Sequence, residues 1–474
     1  MFKKHKYQLI VGALVFIYLF LVYDVNFRGP DEPVYFAYTA SIVKDGDLNI
    51  INQFYNDYGQ YVSKTYNLPD FHNHGGVIFW APFFLLGKSI YSVADWLNIA
   101  SIADEGLDKM IKCAMSFSTI IFGFFTLFFT FLLCRKLFSD KAAFWSTLLM
   151  LFATPFAYFT LFETGNGQIV ASMLSAILIF VLYNYAPAMN GKHWFVYGMF
   201  FSICLAVRVE LWSMFILFIL PYVLILCLSK SIRWNALVLL IAGILPIFIL
   251  RLINAYLKYG EIRPEELFYI ISFLQFKSSY QFNGLFSTFR AVIYSSPIIL
   301  ICFAGVTVSV VGLIKKILKK ETCLNECFLI TAAIYLFFKL YSLSRIFSPA
   351  GDALTGRCFL TEFTLFVLFY GYFVNMQKGR LRLSWIAVSI LFMGWNLLVI
   401  AEYIVGFDWL YVYSSPGIAA RIFNLKYMLF PLFFIKDIYL KLSFFLPLLA
   451  FALAVILFLK KKIPSLNHHC RERR

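Results

Sequence analysis

Apolar runs of about 17–25 residues recur from one end of the chain to the other, and each is long enough to cross a bilayer as a helix. A backbone inside lipid must satisfy its own polar groups, which leaves helices or a closed barrel. Barrel strands are short and alternate in polarity, and these runs do neither. Charged residues make up 14% of the 474 positions and hydrophobic residues 61%. Soluble domains carry about 25% charged residues, so the composition argues against a soluble enzyme. The 56 Phe and 29 Tyr exclude disorder. The expected fold class is an all-α polytopic membrane protein.

Spans are expected at about 8–23, 110–134, 142–161, 167–186, 194–208, 211–228, 234–253, 291–314, 326–343, 358–376, 384–404 and 442–460. The segment 77–93 is apolar but short and rich in Pro and Gly, and reads as a re-entrant or interfacial piece. Twelve spans put both termini on one side, and the positive-inside rule tests that arrangement. The terminal side collects twenty-two of the 41 basic residues against four acids, so it carries +18 and the remainder −2. The termini are therefore expected in the cytoplasm, and the net charge of +16 sets orientation rather than pointing to nucleic acid. The first span follows Lys3-Lys4-His5-Lys6 with no small-x-small cleavage site, which reads as an uncleaved signal anchor. The nine cysteines lie mostly in or beside apolar runs, so no disulfide framework is expected.

Polar chemistry concentrates in the outer segments 24–109, 254–290, 344–357 and 405–441. In the first of these, Arg28-Gly29-Pro30-Asp31-Glu32-Pro33 opens a short amphipathic helix, expected from Val34 to Lys44 and stopped by Asp45-Gly46-Asp47. Two roles fit Asp31 and Glu32. Acids belong at a helix start, and an acid at a lipid–water boundary can act as a general base. Next come Gly59 to Lys64, then His72-Asn73-His74-Gly75-Gly76, then Trp80-Ala81-Pro82-Phe83-Phe84-Leu85-Leu86-Gly87. A lysine and two histidines near a Gly-Gly turn suit a phosphate, a metal or plain solvation.

The series Pro-Asp-Glu-Pro, Asp-Gly-Asp-Leu, a Lys- and Gly-containing turn, then Ala-Pro-Phe-x-x-Leu-Gly resembles the GT-C membrane glycosyltransferases. Within them it is similar to bacterial members related to the protein O-mannosyltransferases and the lipid A aminoarabinose transferases. Later matches are Phe162-Glu163-Thr164-Gly165, Ala206-Val207-Arg208, Asn254 to Gly260, Gly284-Leu285-Phe286, Tyr294 to Pro297 and Gly351 to Arg357. The last loop departs from the family pattern by reading Pro349-Ala350-Gly351-Asp352 where aromatics are usual.

The resemblance covers about residues 8–375 and implies a catalytic region over 1–376, with amphipathic "jaw" helices in the outer loop 24–109. Residues 377–474 would form a C-terminal transmembrane region with outer loop 405–441 and a basic tail. It implies a sugar donor linked to a polyprenyl phosphate, a lipid, glycan or protein acceptor, and a role in cell-envelope glycan biosynthesis. The site would face outward from a bacterial inner membrane. Under it, Asp31 is the expected base, with Glu32 and Glu163 beside it. Lys64, Arg208, Arg345 and Arg357 are the expected phosphate ligands, and Tyr35, His72 and His74 substrate contacts.

Plainer roles fit several of these residues. Glu163 can cap a helix, Arg208 can pair Glu210, and Arg357 can pair Asp352 or Glu362. No cofactor is otherwise required, although Asp31, Glu32 and Glu163 would suit a divalent cation if they converge. Competing functions are a ligase or polymerase using diphosphate-linked glycans, and a transporter or flippase, which usually places polar groups in broken helices at mid-membrane.

Overall fold

The computed structural model describes residues 32–47, 74–98, 106–208, 211–259, 293, 296–318, 324–346 and 357–404. No strand occurs among them. The expected spans 8–23 and 442–460 lie outside the described residues. Six described helices are long and apolar enough to cross a membrane by length and composition. They are Val77–Trp96 (α2), Leu107–Leu137 (α3), Gly167–Ala188, Leu211–Leu228 (α8), Phe359–Met376 and Gly379–Ile400. The chain is a polytopic helical membrane protein.

The chain enters through Glu32–Ala40 (α1), which widens into a π turn over Ser41–Asp45. Gly46 ends it at φ +73°, donating to Ser41 O at 3.0 Å. The described helix already includes Glu32 and Pro33, ahead of the expected Val34, while its end at the Asp45-Gly46-Asp47 turn follows the sequence expectation. The burial does not: Tyr35, Phe36, Ala37, Tyr38 and Ala40 are all buried, so α1 is enclosed rather than half-exposed at an interface. Its aromatic side packs on α2, with Tyr35 against Trp80 at 4.7 Å and Phe36 against Phe84 at 5.9 Å. Cations cover these rings, Lys112 of α3 over Phe36 and Lys44 of the π turn over Phe84.

The segment expected as an interfacial piece is one 20-residue helix, α2, and Pro82 does not break it. Its contacts fix its course. Phe79 and Phe83 meet Phe122 of α3, whereas a Cβ on Gly87 would lie 2.8 Å from the Ile111 backbone. α2 therefore runs antiparallel to the first half of α3 and stops about 22 Å short of Leu137. Gly87 is what lets the two backbones approach.

The expected span 142–161 is two helices, Asp140–Ala153 (α4) and Phe156–Leu161 (α5). Pro155 holds Thr154 in an extended conformation and ends α4. The carbonyls freed at the break are not left dry: Asn396 Nδ2 donates to Phe152 O (2.9 Å) and Thr154 O (3.0 Å). Asn396 sits on Gly379–Ile404 (α13), and its Oδ1 accepts from Ser296 at 3.3 Å.

Gly167–Tyr185 (α6), Gly191–Val207 (α7), Asn235–Tyr259 (α9), Ile299–Leu318 (α10), Leu324–Ile346 (α11) and Phe363–Met376 (α12) complete the bundle. α7 starts on a capping box in which Asn190 and His193 exchange hydrogen bonds, so His193 has a local structural role. α8 widens to a π segment over Phe215–Ile219, directly before Pro221, which has no N–H to continue the ladder. α12 is preceded by a 3-10 turn, Arg357–Glu362. One apolar core joins these elements. Along α9, Val238, Ile241, Leu245 and Ile249 leave an exposed apolar stripe at helical spacing, as a lipid-facing surface requires.

Candidate active site

Two sequence-predicted segments meet at α1. Glu32 opens the helix and is fully buried. One turn on, Tyr35 reaches the start of α6, where a Cβ on Gly167 would stand 2.9 Å from its hydroxyl. A side chain at Gly167 would require Tyr35 to shift. Gly167 follows Glu163 by four positions, so the jaw helix and the Glu163 loop share one locale.

That loop is built rigidly. Gly165 adopts φ +86° and its N–H donates to Thr119 Oγ1 at 2.8 Å. Thr164 Oγ1 donates to Ser116 Oγ at 2.8 Å, tying the loop to α3 a second time. Asn166 is the cap of α6, its Oδ1 accepting from Gln168 N at 2.8 Å. Its Nδ2 donates to Glu163 Oε1 at 3.0 Å. The capping role weighed for Glu163 thus belongs to Asn166, and the buried carboxylate of Glu163 braces the cap.

A second convergence joins the His-Gly-Gly turn to the Ala-Val-Arg junction. His74–Gly76 form a 3-10 turn, and a Cβ on Gly75 would collide with the Ala206 carbonyl. Arg208, half-buried, leaves the end of α7 in an extended conformation, its N–H donating to Cys204 O at 3.0 Å. Gly75 and Arg208 therefore flank one spot, although nothing in the sequence separation of these motifs indicates it.

The Arg357 turn packs on α6, where Ser172 Oγ donates to Leu360 O at 2.7 Å, and just after the turn Phe363 of α12 stacks on Phe156 of α5 at 4.2 Å. Arg345 lies in the last turn of α11 and Arg357 opens the 3-10 turn, both placed by their backbones. His74 is placed likewise. Asp31, Lys64 and His72, and with them Glu210 and Asp352, lie outside the described residues. Among the described residues no three His, Cys, Asp or Glu side chains gather as a metal site would need.

Two buried polar groups escaped the sequence reading. Lys339 of α11 pairs with Glu362 at 3.5 Å, both side chains almost wholly enclosed. The available signal was a lysine well inside the apolar run 326–343. Asn396 gave no such signal, because the carbonyls it serves, those of Phe152 and Thr154, are more than two hundred residues away.

Set against solved structures, the chain aligns over 97% of its length with ArnT from Cupriavidus metallidurans bound to undecaprenyl phosphate, and over 73% of that chain. The TM-score is 0.51 at 14% sequence identity. The fold is similar to that of ArnT. The apo ArnT structure agrees, with a TM-score of 0.52, 13% identity, and coverage of 98% of this chain and 74% of the other. No family model and no curated protein sequence matches the chain. The GT-C architecture read from the first loop is thus met at the level of the fold. The likeness to ArnT also runs past residue 375, where the sequence resemblance ended.

Proposed function

We propose that this chain is an integral membrane glycosyltransferase that moves a sugar from a polyprenyl-phosphate donor to an acceptor hydroxyl at the outer face of the membrane. The observation that carries this is the likeness, over nearly the whole chain, to an enzyme fold crystallised with undecaprenyl phosphate. The contacts of α1 with the helix that follows Glu163, of the His74 turn with the Arg208 junction, and of the Arg357 turn with α6 support it. In this reading the acceptor oxygen attacks the anomeric carbon, the carbon–oxygen bond to phosphate breaks, and the polyprenyl phosphate leaves. The acceptor proton passes to the carboxylate of Asp31. Glu32 and Glu163 orient acceptor and base. Arg208 and Arg357, with Lys64 and Arg345, neutralise the leaving phosphate. Tyr35, His72 and His74 contact the sugar or acceptor.

The test is transfer from radiolabelled polyprenyl-phosphate sugars by purified protein in liposomes with native lipid extract, wild type beside Asp31→Asn. Wild-type turnover is expected. Asp31→Asn is expected to lose at least about a hundredfold, the usual share of a general base, while it inserts and binds donor as wild type does. Turnover that survives in the variant removes Asp31 as base. No turnover with any such donor favours the diphosphate-linked or transport readings.

A further inference from the structure

Lys339 and Glu362 form an ion pair in the interior of the helix bundle, Nζ to Oε1 at 3.5 Å, with side chains 3% and 0% exposed. Such a pair adds little stability by itself, because removing two charges from water cancels most of their attraction. Ionisable groups within a membrane bundle are retained chiefly where function depends on them.

The surroundings indicate what depends on this one. Tyr335 lies one helical turn before Lys339, on the same face of α11, and donates its hydroxyl to the same Oε1 of Glu362. Phe218, in the π segment of α8, stacks on Tyr335 at 6.4 Å and 22°. α8 begins three residues after Arg208. Glu362 closes the 3-10 turn that Arg357 opens, and it is also the cap of α12. Among the described residues Glu362 Oε2 has no hydrogen-bond partner, so Oε1 makes the whole attachment. On its other side the turn is held by α6 through Ser172 and Leu360. A 3-10 turn rises about 2 Å per residue. It thus forms an arm of about 10 Å with Arg357 at one end and a clamp at the other.

We propose that Lys339 and Glu362 are positioning residues whose ion pair, completed by Tyr335, fixes the turn that presents Arg357 to the donor's phosphate. This rests on the role given to Arg357 under the proposed function. The clamp acts through the backbone of the turn and touches no substrate. Through Phe218 it also sets the distance between the Arg357 turn and the helix that follows Arg208, so that two cations are held in register for one phosphate.

The test compares wild type, Lys339→Met, Glu362→Gln, the double variant of both, and Arg357→Ala, in lipid nanodiscs. Three quantities are read: thermal stability, amide hydrogen exchange over 357–362, and affinity for undecaprenyl phosphate. Each single clamp variant leaves a lone buried charge or half a pair, so stability falls. Exchange in the turn rises, and affinity drops about tenfold or more. The double variant buries no lone charge. It recovers stability, while fast exchange in the turn and weak binding persist.

Arg357→Ala binds as weakly as the double variant with the turn still protected, and adding it to the double variant weakens binding no further. Affinity that recovers together with stability in the double variant makes the pair merely structural and overturns the proposal. So does a turn whose exchange is unchanged in every clamp variant. A wild type that does not bind undecaprenyl phosphate, or an Arg357→Ala that binds it equally well, removes the role of Arg357 itself. That failure shows without touching the clamp.

Discussion

At the scale of single residues, the contact between Gly167 and Tyr35 sets how closely α1 can sit against the start of α6. Gly167→Ala puts a methyl carbon 2.9 Å from the Tyr35 hydroxyl and 3.1 Å from its ring carbon. Overpacking of this kind costs about 1–3 kcal/mol, and a thermal-shift measurement in detergent is expected to show it. Adding Tyr35→Phe removes the nearer atom, so the pair is expected to recover part of the loss. A double variant no better than the single places the strain elsewhere. Such contacts were only partly legible. Tyr35 and Glu163 could be picked as candidates from motif and position. Their meeting through Gly167 could not, because it spans more than a hundred and twenty residues of chain and leaves no local pattern. Glu163 shows the same limit: an acid before a helix suggests a cap, yet Asn166 three residues later takes that role.

At the scale of elements, the break between α4 and α5 is where sequence and structure part most clearly. Apolar periodicity ran through 142–161 without interruption, and Thr154-Pro155 was the one mark of a stop. The break is viable because Asn396 supplies donors to two orphaned carbonyls from a helix at the far end of the described chain. Asn396→Leu keeps the volume and removes both donors. Each buried carbonyl left without a partner costs about 1–3 kcal/mol. We expect a lower melting temperature together with reduced turnover, since α5 leads directly into Glu163. Asn396→Asp provides the contrast, because a carboxylate offers no donor and should behave no better. Full stability in Asn396→Leu assigns the break to Pro155 alone. Helix ends set by Gly and cap residues were legible, as α1 illustrates: it stops at Gly46, in the expected Asp45-Gly46-Asp47 turn.

At the scale of the whole molecule, the recurrence of long apolar runs gave the class of protein, and the likeness to ArnT gave the architecture. α2 decides the topology. It is apolar enough to cross, yet it accompanies only the first half of α3. The two flanks of α2 are therefore expected on the same face of the membrane. Single cysteines introduced at Asn56 and Asn98, probed with an impermeant thiol reagent in intact cells, are expected to label together. Labelling of one and protection of the other makes α2 a full span and inverts every later loop. The pairing of Lys339 with Glu362 was not legible: the lysine stood out inside an apolar run, but nothing in the sequence named its partner.

The half-length embrace of α2 by α3 bears on how the chain is made. An emerging segment is judged for insertion on its own hydrophobicity, before its later neighbours exist. Taken alone, α2 qualifies to cross. What keeps it beside half of α3 is α3 itself, through Gly87 and Phe122, and α3 is synthesised afterwards. The contacts that hold α2 against α3 therefore form only after Phe122 has been synthesised. The place of α2 beside α3 thus depends on a partner that is made after it.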